Sequence, residues 1–409
     1  MAELTDQEKL NQFEPLLSFK WTWVLKLFFN MPFDKIGFFT GNQSTKTFAC
    51  TLNYVFRLMG WHPIPRKNVL YFECPKFVDE KNEAEKKEDD SLILHPWVTR
   101  NLPDQSKIKI HREGEYLDSV IYPGPKFGYP GRYPKSKRPE NNLCTFCGEK
   151  LQIHKRKTRI FRFGSEILPE DKESTTQHGS DIGQSTETKN TVYPEFKKWL
   201  PPFLIKSDIS SRRKTMILYD PNGNNHFGDL FYPTSDIVIE FIAYHQTVKS
   251  GAGVQRLSCY LDEESPIDIY EEQMPRLVAE DADILFSLTP AEAMSWTFDE
   301  IFERAQLYIR TKTICDYLRK KEKRDIKQVE WRDNDNDIVV IQAATDDNPT
   351  LSKKAIEKKM FFDDEETVAI RRYGIFKQST GRIFNDFSYK VHSIDFNEYG
   401  LNNMMFQDF

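Results

Sequence analysis

Segments with strand-like and helix-like apolar patterns alternate along much of the chain. Residues 34–40 form a short, mainly apolar run with the length and flanks of a buried strand. Residues 46–59 then carry apolar side chains at helical spacing, and Gly60 is a typical helix stop. A second buried strand is predicted over 69–74. This strand, helix, strand order favours a mainly parallel sheet covered by helices.

The pattern weakens between about residues 75 and 200 and then returns. The stretch 122–139 is rich in Pro, Gly, Tyr and Lys, and 170–192 is rich in Ser, Thr, Gln and Gly, so both are predicted to be loop or insertion. A helical stretch is predicted over 296–318, after the last of four further strands. Those strands are predicted at 215–219, 237–242, 257–261 and 284–288.

Composition fits a globular, water-soluble chain. Of its 409 residues, 39% are hydrophobic and 29% are charged, and the length favours two or three domains. The formal net charge of -5 means that any nucleic-acid binding must come from local basic patches, such as 126–162. The N-terminus is acidic and polar and lacks the basic-then-apolar order of a signal peptide. The longest apolar stretch near it, residues 21–33, is too short to span a membrane. Six scattered cysteines predict reduced thiols rather than a disulfide framework.

The loop between the first predicted strand and its helix reads Thr-Gly-Asn-Gln-Ser-Thr-Lys-Thr over residues 40–47. A phosphate-binding loop needs backbone N–H groups above a helix N-terminus, a Lys for the β- and γ-phosphates, and a Ser or Thr hydroxyl for Mg²⁺. Lys46 and Thr47 fit the last two roles. The common pattern has Gly where this chain has Thr40 and Thr45. Alone, the loop is equally compatible with an ordinary strand-to-helix turn.

A second motif follows the predicted strand 257–261, which ends in three consecutive carboxylates. Asp262 can hold Mg²⁺ through water there, and Glu263 can polarise an attacking water. An acidic loop after a strand is common in any fold. Both motifs in this order, each directly after a buried strand, are a much rarer coincidence. Thr289, at the end of the next predicted strand, could sense the γ-phosphate.

These motifs resemble those of the large terminase subunits of tailed phages and related viruses. Residues 41–47 resemble that family's short phosphate loop, and 261–277 resemble its acidic motif with the helix that follows. Residues 288–296 resemble its coupling motif. Two further stretches, 244–253 and 347–384, also resemble segments of that family. All of these segments occur in the family's order, and together the resemblance covers roughly residues 30–75 and 195–395.

The resemblance implies an α/β fold of the ASCE-type P-loop NTPase class, with a mainly parallel sheet flanked by helices. The ATPase domain would span 1–330, with a loop-rich insertion at 113–195, and 331–409 would form a linker subdomain. The implied ligands are ATP and Mg²⁺, the metal being held by Thr47 and Asp262, with Glu263 and Lys46 catalytic and Thr289 coupling hydrolysis to movement. The nucleotide-binding residues would be Gly41, Asn42, Gln43, Ser44, Thr45, Lys46 and Thr47.

The same resemblance implies a motor that moves double-stranded viral DNA into a procapsid. Its partners would be the DNA, a portal protein ring, a small terminase subunit and further copies of this chain in a ring, without a membrane. The expected location is the cytoplasm of the infected host cell. No nuclease activity is expected, because the chain stops at Phe409 before the family's nuclease fold could be completed. Arg276 and Arg304 are candidate arginine fingers only by their proximity to the motifs.

Two other functions stay open on the sequence. A helicase would need a second motor-like domain, and after residue 330 there is room only for a small region. A degenerate P-loop scaffold that does not hydrolyse ATP is favoured by Thr40 and Thr45. Against it stand the four intact chemical positions Lys46, Thr47, Asp262 and Glu263.

A structural zinc site is a further hypothesis. Cys144 and Cys147, followed by Gly148, have the spacing of a zinc knuckle, and His154 is the nearest additional ligand. No second Cys pair exists, so the alternative is a degenerate knuckle or simple loop cysteines. The remaining cysteines lie in apolar patterns and are predicted to be core residues.

Overall fold

The computed structural model describes fifteen stretches of the chain. They are residues 16, 23–31, 33–75, 132–134, 139–143, 148–165, 192–210, 214–219, 236–244, 254–278, 282–290, 295–323, 325–334, 336–360 and 363–376.

Thirteen strands and seven α-helices are present in these stretches. The strands are β1 (Lys35–Thr40), β2 (Leu70–Glu73), β3 (Arg132–Pro134), β4 (Gln152–Lys155), β5 (Ile160–Ser165), β6 (Ile205–Ser207), β7 (Thr215–Leu218), β8 (Ile237–Ala243), β9 (Ser258–Asp262), β10 (Asp283–Leu288), β11 (Leu307–Arg310), β12 (Val329–Trp331) and β13 (Ile338–Ala343). The helices are α1 (Trp23–Phe29), α2 (Lys46–Met59), α3 (Val192–Trp199), α4 (Ile267–Val278), α5 (Lys312–Glu322), α6 (Lys353–Lys359) and α7 (Glu365–Tyr373). A π-helical turn spans Phe298–Phe302, and short 3-10 turns span Pro65–Lys67, Pro202–Leu204 and Thr345–Asp347.

Ten of the described strands form one sheet, in the order β12-β11-β13-β1-β10-β9-β5-β8-β7-β6. The seven strands from β11 to β8 are mutually parallel, and antiparallel strands continue the sheet on both sides. The predicted α/β fold is therefore confirmed. One strand, β10, separates the loop-bearing β1 from the acidic β9, which is the additional-strand arrangement that defines the ASCE class.

Both faces of the parallel strands are covered. Along β10, Leu285 packs into a core cluster shared with α1, α2 and α3, whereas Ile284 and Phe286 pack into a second cluster shared with α4 and the π-helical turn. This two-sided burial explains why the strands have continuous apolar sequences instead of an alternating pattern. Helix α2 ends where predicted, at Gly60, which adopts a left-handed conformation with φ 72°.

One predicted strand is present but pairs in another sheet, and one predicted helix is wrong in part. Residues 69–74 do not join the parallel sheet; β2 pairs antiparallel with β3 and β4 in a separate three-stranded sheet. The predicted helix over 296–318 contains strand β11, which lies between β12 and β13. A short apolar run does not distinguish a buried strand from a helix. Residues 307–310 form a strand because they pair with β13.

The predicted domain limits cut across the sheet. Strand β13, within the expected linker subdomain 331–409, pairs in parallel with β1 near the middle of the sheet. Strand β5, within the expected insertion 113–195, pairs with β8 and β9. Cys50, Cys74, Cys259 and Cys315 are buried, as predicted. Among the helices described here, none is both long enough and apolar enough to cross a membrane.

Candidate functional site

Three loops meet at one edge of the sheet. Strands β1, β10 and β9 are adjacent and parallel, so their carboxyl ends lie side by side. These ends lead into the loop 41–45, into residues 289–290 and into the acidic turn 263–266. Ligands of open α/β sheets bind at this edge, beyond the carboxyl ends of the strands.

The loop after β1 winds through two left-handed residues before helix α2 begins. Gln43 has φ 58° and Thr45 has φ 75°, so Thr45 adopts the conformation for which the common pattern uses Gly. A left-handed residue with a branched Cβ is strained by roughly 1–2 kcal/mol. A cavity of about 280 Å³ opens over this loop. It is lined by Gln43, Ser44, Thr45, Lys46, Thr47, Phe48 and Glu195.

The outer side of the loop is held by residues beyond β13. Thr345 Oγ1 donates to the Asn42 carbonyl at 2.7 Å, and Asn348 Nδ2 donates to the Gln43 carbonyl at 2.7 Å. Gly41 is needed here for space, because a Cβ at this position would lie 2.2 Å from the Arg372 carbonyl oxygen. These contacts fix two loop carbonyls on the side towards the C-terminal segment.

Lys46, the first residue of α2, reaches across to both neighbouring motifs. Its Nζ lies 2.7 Å from Glu263 Oε1 and donates to Thr289 Oγ1 at 2.5 Å. Thr289 in turn donates from its hydroxyl to Asn42 Oδ1 at 2.9 Å, and from its backbone N–H to Glu263 Oε2 at 2.9 Å. The loop, the acidic turn and the end of β10 are thus joined in one polar network.

Asp262 is buried at the end of β9, where one of its oxygens is surrounded by hydroxyl groups. Oδ1 accepts from Tyr260 at 2.6 Å, from Ser287 at 2.6 Å and from Thr47 Oγ1 at 3.2 Å. A carboxylate beside a threonine hydroxyl is a pair of hard oxygen ligands, the type that Mg²⁺ prefers. These residues therefore fit a magnesium ion.

Glu263 has a strained backbone and a half-buried carboxyl group. Its φ of 61° is left-handed, and its N–H donates to the Ser287 carbonyl at 2.7 Å. Burial raises the pKa of Glu263 above the ordinary glutamate value, and the nearby Lys46 opposes that shift. A carboxylate held by two donors, one of them the cavity-lining Lys46, is placed to act on a water molecule.

The structure brings the predicted chemical positions together. Lys46, Glu263 and Thr289 are joined by one set of contacts, and their chain neighbours Thr47 and Asp262 are joined by another, beside the loop residues 41–45. Each of the two arginine-finger candidates pairs with the carboxylate four residues before it, Arg276 with Glu272 at 2.7 Å and Arg304 with Glu300 at 2.9 Å.

The zinc hypothesis receives no support. Cys144 and Cys147 lie outside the described residues. His154, on β4, stacks on Tyr71 with ring centroids 4.6 Å apart and has Nδ1 3.5 Å from Glu73 Oε2. Within the described stretches, no group of three His, Cys, Asp or Glu side chains could hold a metal ion.

Four residues of the site had no predicted role. Thr345 and Asn348 hold the loop, Tyr244 contacts the acidic turn, and Glu195 of α3 lines the cavity. The polar run 345–348 directly follows a buried apolar segment, a signal that could have placed it at the same sheet edge. For Glu195 there was no such signal, because α3 follows a long stretch without clear periodicity.

Comparison with known proteins adds structural likenesses only. No family model matches the chain, and no curated protein matches it. Among solved structures, the ATPase domain of the Thermus phage P74-26 large terminase has 11% sequence identity and a TM-score of 0.44, covering 90% of this chain and 98% of that one. The large terminase of the thermophilic bacteriophage D6E has 12% identity and a TM-score of 0.35, covering 57% of this chain and 45% of that one. A complex of the D6E protein with ADP is a further match.

These structures come from the family that the motifs resemble. Their identities and TM-scores are too low to decide what this chain does. The proposal that follows therefore rests on the residues of the chain itself.

Proposed function

We propose that this chain hydrolyses ATP in the presence of Mg²⁺. The observation that carries the proposal is the convergence of Lys46 with the adjacent carboxylates Asp262 and Glu263, from two distant parts of the sequence, beside the cavity that opens over the loop after β1. A cation at a helix N-terminus favours phosphate binding, and a carboxylate pair favours a metal and an activated water. An ordinary strand-to-helix turn has no reason to gather these groups.

Each residue has a distinct part in such a reaction. Lys46 would leave Glu263 to neutralise the β- and γ-phosphates, while Thr47 and Asp262 would hold Mg²⁺, which offsets phosphate charge. Glu263 would orient the attacking water and accept hydrogen bonds from it. Thr289, bonded to both Lys46 and Glu263, would respond to the loss of the γ-phosphate.

The finer proposal is a DNA-packaging motor of the large terminase type. It is supported by the order and spacing of the motifs and by the place of Thr289 between the loop and the acidic turn. The partners proposed with it are double-stranded DNA, a portal ring, a small terminase subunit and further copies of this chain.

ATP hydrolysis by the purified chain, measured with and without double-stranded DNA, tests both the proposed ATPase activity and the proposed DNA-packaging motor. Lys46→Ala and Glu263→Gln should each lower kcat at least about 100-fold, because each removes charge stabilisation or the group that positions the water. Lys320→Ala on α5 and Glu271→Gln on α4 are exposed controls with the same chemical change and should behave as wild type. Activity that survives both site substitutions would reject the assignment. Stimulation by DNA favours the motor, and its absence counts against it.

The second candidate is a scaffold that does not hydrolyse ATP, favoured by the strained Thr45 and by the direct pairing of Lys46 with Glu263. Nucleotide binding separates the two candidates where no turnover is seen. Binding without hydrolysis points to a motor that needs its neighbours. Absence of binding favours the scaffold.

A further inference from the structure

Tyr244 lies two strands away from the acidic turn and still contacts it. The residue follows β8, and its backbone N–H donates to the Ser165 carbonyl at the end of β5 at 3.1 Å. Its hydroxyl donates to the Asp262 carbonyl at 2.9 Å, with the Glu263 carbonyl at 3.4 Å as a second acceptor. The side chain therefore spans β5 to reach the end of β9.

Gly164 makes this path possible. The glycine lies on β5 opposite Leu261 of β9, directly under the crossing ring. A Cβ at position 164 would lie 2.8 Å from Tyr244 Cε1 and 2.8 Å from Leu261 Cδ2. Contacts that short would force the ring to move, so the glycine and the tyrosine act as a pair.

The bond that Tyr244 makes falls on one particular peptide unit. Its acceptor is the carbonyl of the peptide between Asp262 and Glu263, and the N–H of the same peptide donates to the Ser287 carbonyl at 2.7 Å. Both ends of the unit are thus fixed. Glu263 has φ 61°, and rotation of this peptide would let the residue relax to an ordinary negative φ.

We infer that Tyr244 is a positioning residue of the hydrolytic centre: its hydroxyl keeps Glu263 in the left-handed conformation. In that conformation the Glu263 carboxylate meets both Lys46 and the Thr289 N–H. Without the hydroxyl, the peptide rotates more often and the carboxylate spends less time beside the cavity. The inference rests on the proposed ATP hydrolysis and adds a residue that does not touch the nucleotide.

The test is Tyr244→Phe, which removes only the hydroxyl. Losing one neutral hydrogen bond should lower kcat about 3- to 10-fold, because fewer molecules hold Glu263 in place. The KM for ATP and the nucleotide dissociation constant should stay within about twofold, because the phosphate loop is unchanged. Gly164→Ala should lower kcat in the same way by displacing the ring. Combined with Tyr244→Phe it should add little, as expected for coupled residues.

Tyr219→Phe is the matched control. Tyr219 follows β7 at the opposite edge of the sheet, with its ring under Lys206, and the variant should keep wild-type kcat. Hydrogen exchange of the Glu263 amide gives a readout that does not depend on turnover, and it should be faster in Tyr244→Phe than in either wild type or the control.

The possible results distinguish the positioning role of Tyr244 from the proposed ATP hydrolysis. Unchanged kcat and unchanged Glu263 exchange in Tyr244→Phe would overturn the positioning role. Equal losses in kcat and in nucleotide affinity would overturn it as well, because they indicate general loosening of the site. A wild-type chain that neither binds nor hydrolyses ATP would count against the proposed function, and the exchange comparison would then decide the role of Tyr244 by itself.

Discussion

Three residues of the site, Gln43, Thr45 and Glu263, have left-handed backbones without being glycine, and the last two contribute differently. Thr45 makes no side-chain capping bond at the start of α2, so its side chain offers no visible compensation for its φ of 75°. Glu263 is bonded through its backbone N–H and both carboxyl oxygens. The strain at Glu263 is therefore part of how the site is built, whereas the strain at Thr45 can be removed.

Thr45→Gly should raise the free energy of unfolding by about 1 kcal/mol, because glycine relieves the left-handed strain and no hydrogen bond is lost. The gain is partly offset by the greater freedom of glycine in the unfolded chain. Thr45→Ala is the control, since it keeps a Cβ and hence most of the strain. Urea unfolding measures both. Equal stability of the Gly and Ala variants would show that the Thr45 conformation is not strained.

The contact between Lys46 and Glu263 competes with nucleotide for the same cation. Lys46 Nζ lies 2.7 Å from Glu263 Oε1 and has to leave it to reach a phosphate. Glu263→Gln should therefore bind ATP about 3- to 10-fold more tightly than wild type, since a partly exposed ion pair is worth up to about 1 kcal/mol. Isothermal titration calorimetry with Mg²⁺ present measures the change.

The Lys46→Ala background separates this competition from simple charge repulsion. If Lys46 is the competing group, Glu263→Gln adds little affinity once Lys46 is gone. If the gain persists there, the carboxylate acts by repelling phosphate directly, and the pairing seen in the structure does not limit binding.

Helix α2 and strand β10 are joined by a buried ion cluster at the end of the sheet away from the site. Asp283 accepts two bonds from Arg57, at 2.6 and 2.8 Å, and lies 2.6 Å from Lys67 Nζ. Arg57 and Lys67 hold the pKa of Asp283 well below its ordinary range, although burial acts in the opposite direction. The cluster fixes the helix that starts with Lys46 against the strand that ends beside Thr289.

Asp283→Asn should destabilise the fold by about 3–5 kcal/mol at neutral pH, because it leaves two buried cations without their carboxylate. The folded pKa of Asp283 is depressed, so its contribution is present above its unfolded value near 4 and is lost as pH falls below it. The difference between variant and wild type should accordingly shrink in urea unfolding at pH 3 compared with pH 6. A difference independent of pH would show that the carboxylate charge does not matter.

The surface pair of Lys206 and Asp236 supplies the control. Its side chains are 44% and 41% exposed and their charged atoms lie 2.7 Å apart. Asp236→Asn removes a charge of the same kind and should leave the free energy of unfolding close to that of wild type, because water screens this exposed pair.

The sequence predicted those elements whose local signals agree with their tertiary surroundings. Helix α2 has helical periodicity and a glycine stop, and β9 and β10 are apolar runs of strand length. The pairing of β2 with β3 and β4 could not be predicted, because a buried strand has the same apolar sequence pattern whichever sheet it joins. Strand β11 was not predicted because a short apolar run is compatible with either a strand or a helix. The position of β13 between β11 and β1 was therefore not predicted either.

The candidate site was predictable only in part, for a related reason. Local motifs identify Lys46, Thr47, Asp262 and Glu263, because each lies at the end of a strand or shortly after it. Tyr244 and Asn348 act across the sheet, and their contacts depend on strand order.

At the scale of the whole molecule, the C-terminal part of the described chain closes around the loop after β1. Asn42 N–H donates to the Arg371 carbonyl of α7 at 2.6 Å, and a Cβ at Gly374 would lie 2.4 Å from the Thr40 carbonyl carbon. Arg372 makes two bonds to Asp346, at 2.7 and 2.6 Å, which tie α7 to the turn after β13. Residues more than 300 positions apart thus meet in one junction at the loop.

Asn348 joins this junction through its side chain: its Nδ2 donates to the Gln43 carbonyl at 2.7 Å, and its Oδ1 accepts from the N–H and the hydroxyl of Thr350. Asn348→Ala should weaken nucleotide binding about 3- to 10-fold, since one buried hydrogen bond contributes about 1 kcal/mol to holding the loop. Asn336→Ala is the matched control: Asn336 Nδ2 donates to the Arg304 carbonyl at 3.0 Å, before β13 and away from the site. Nucleotide titration should show the loss only in the first variant, and equal affinities would mean that the loop holds its shape without the C-terminal segment.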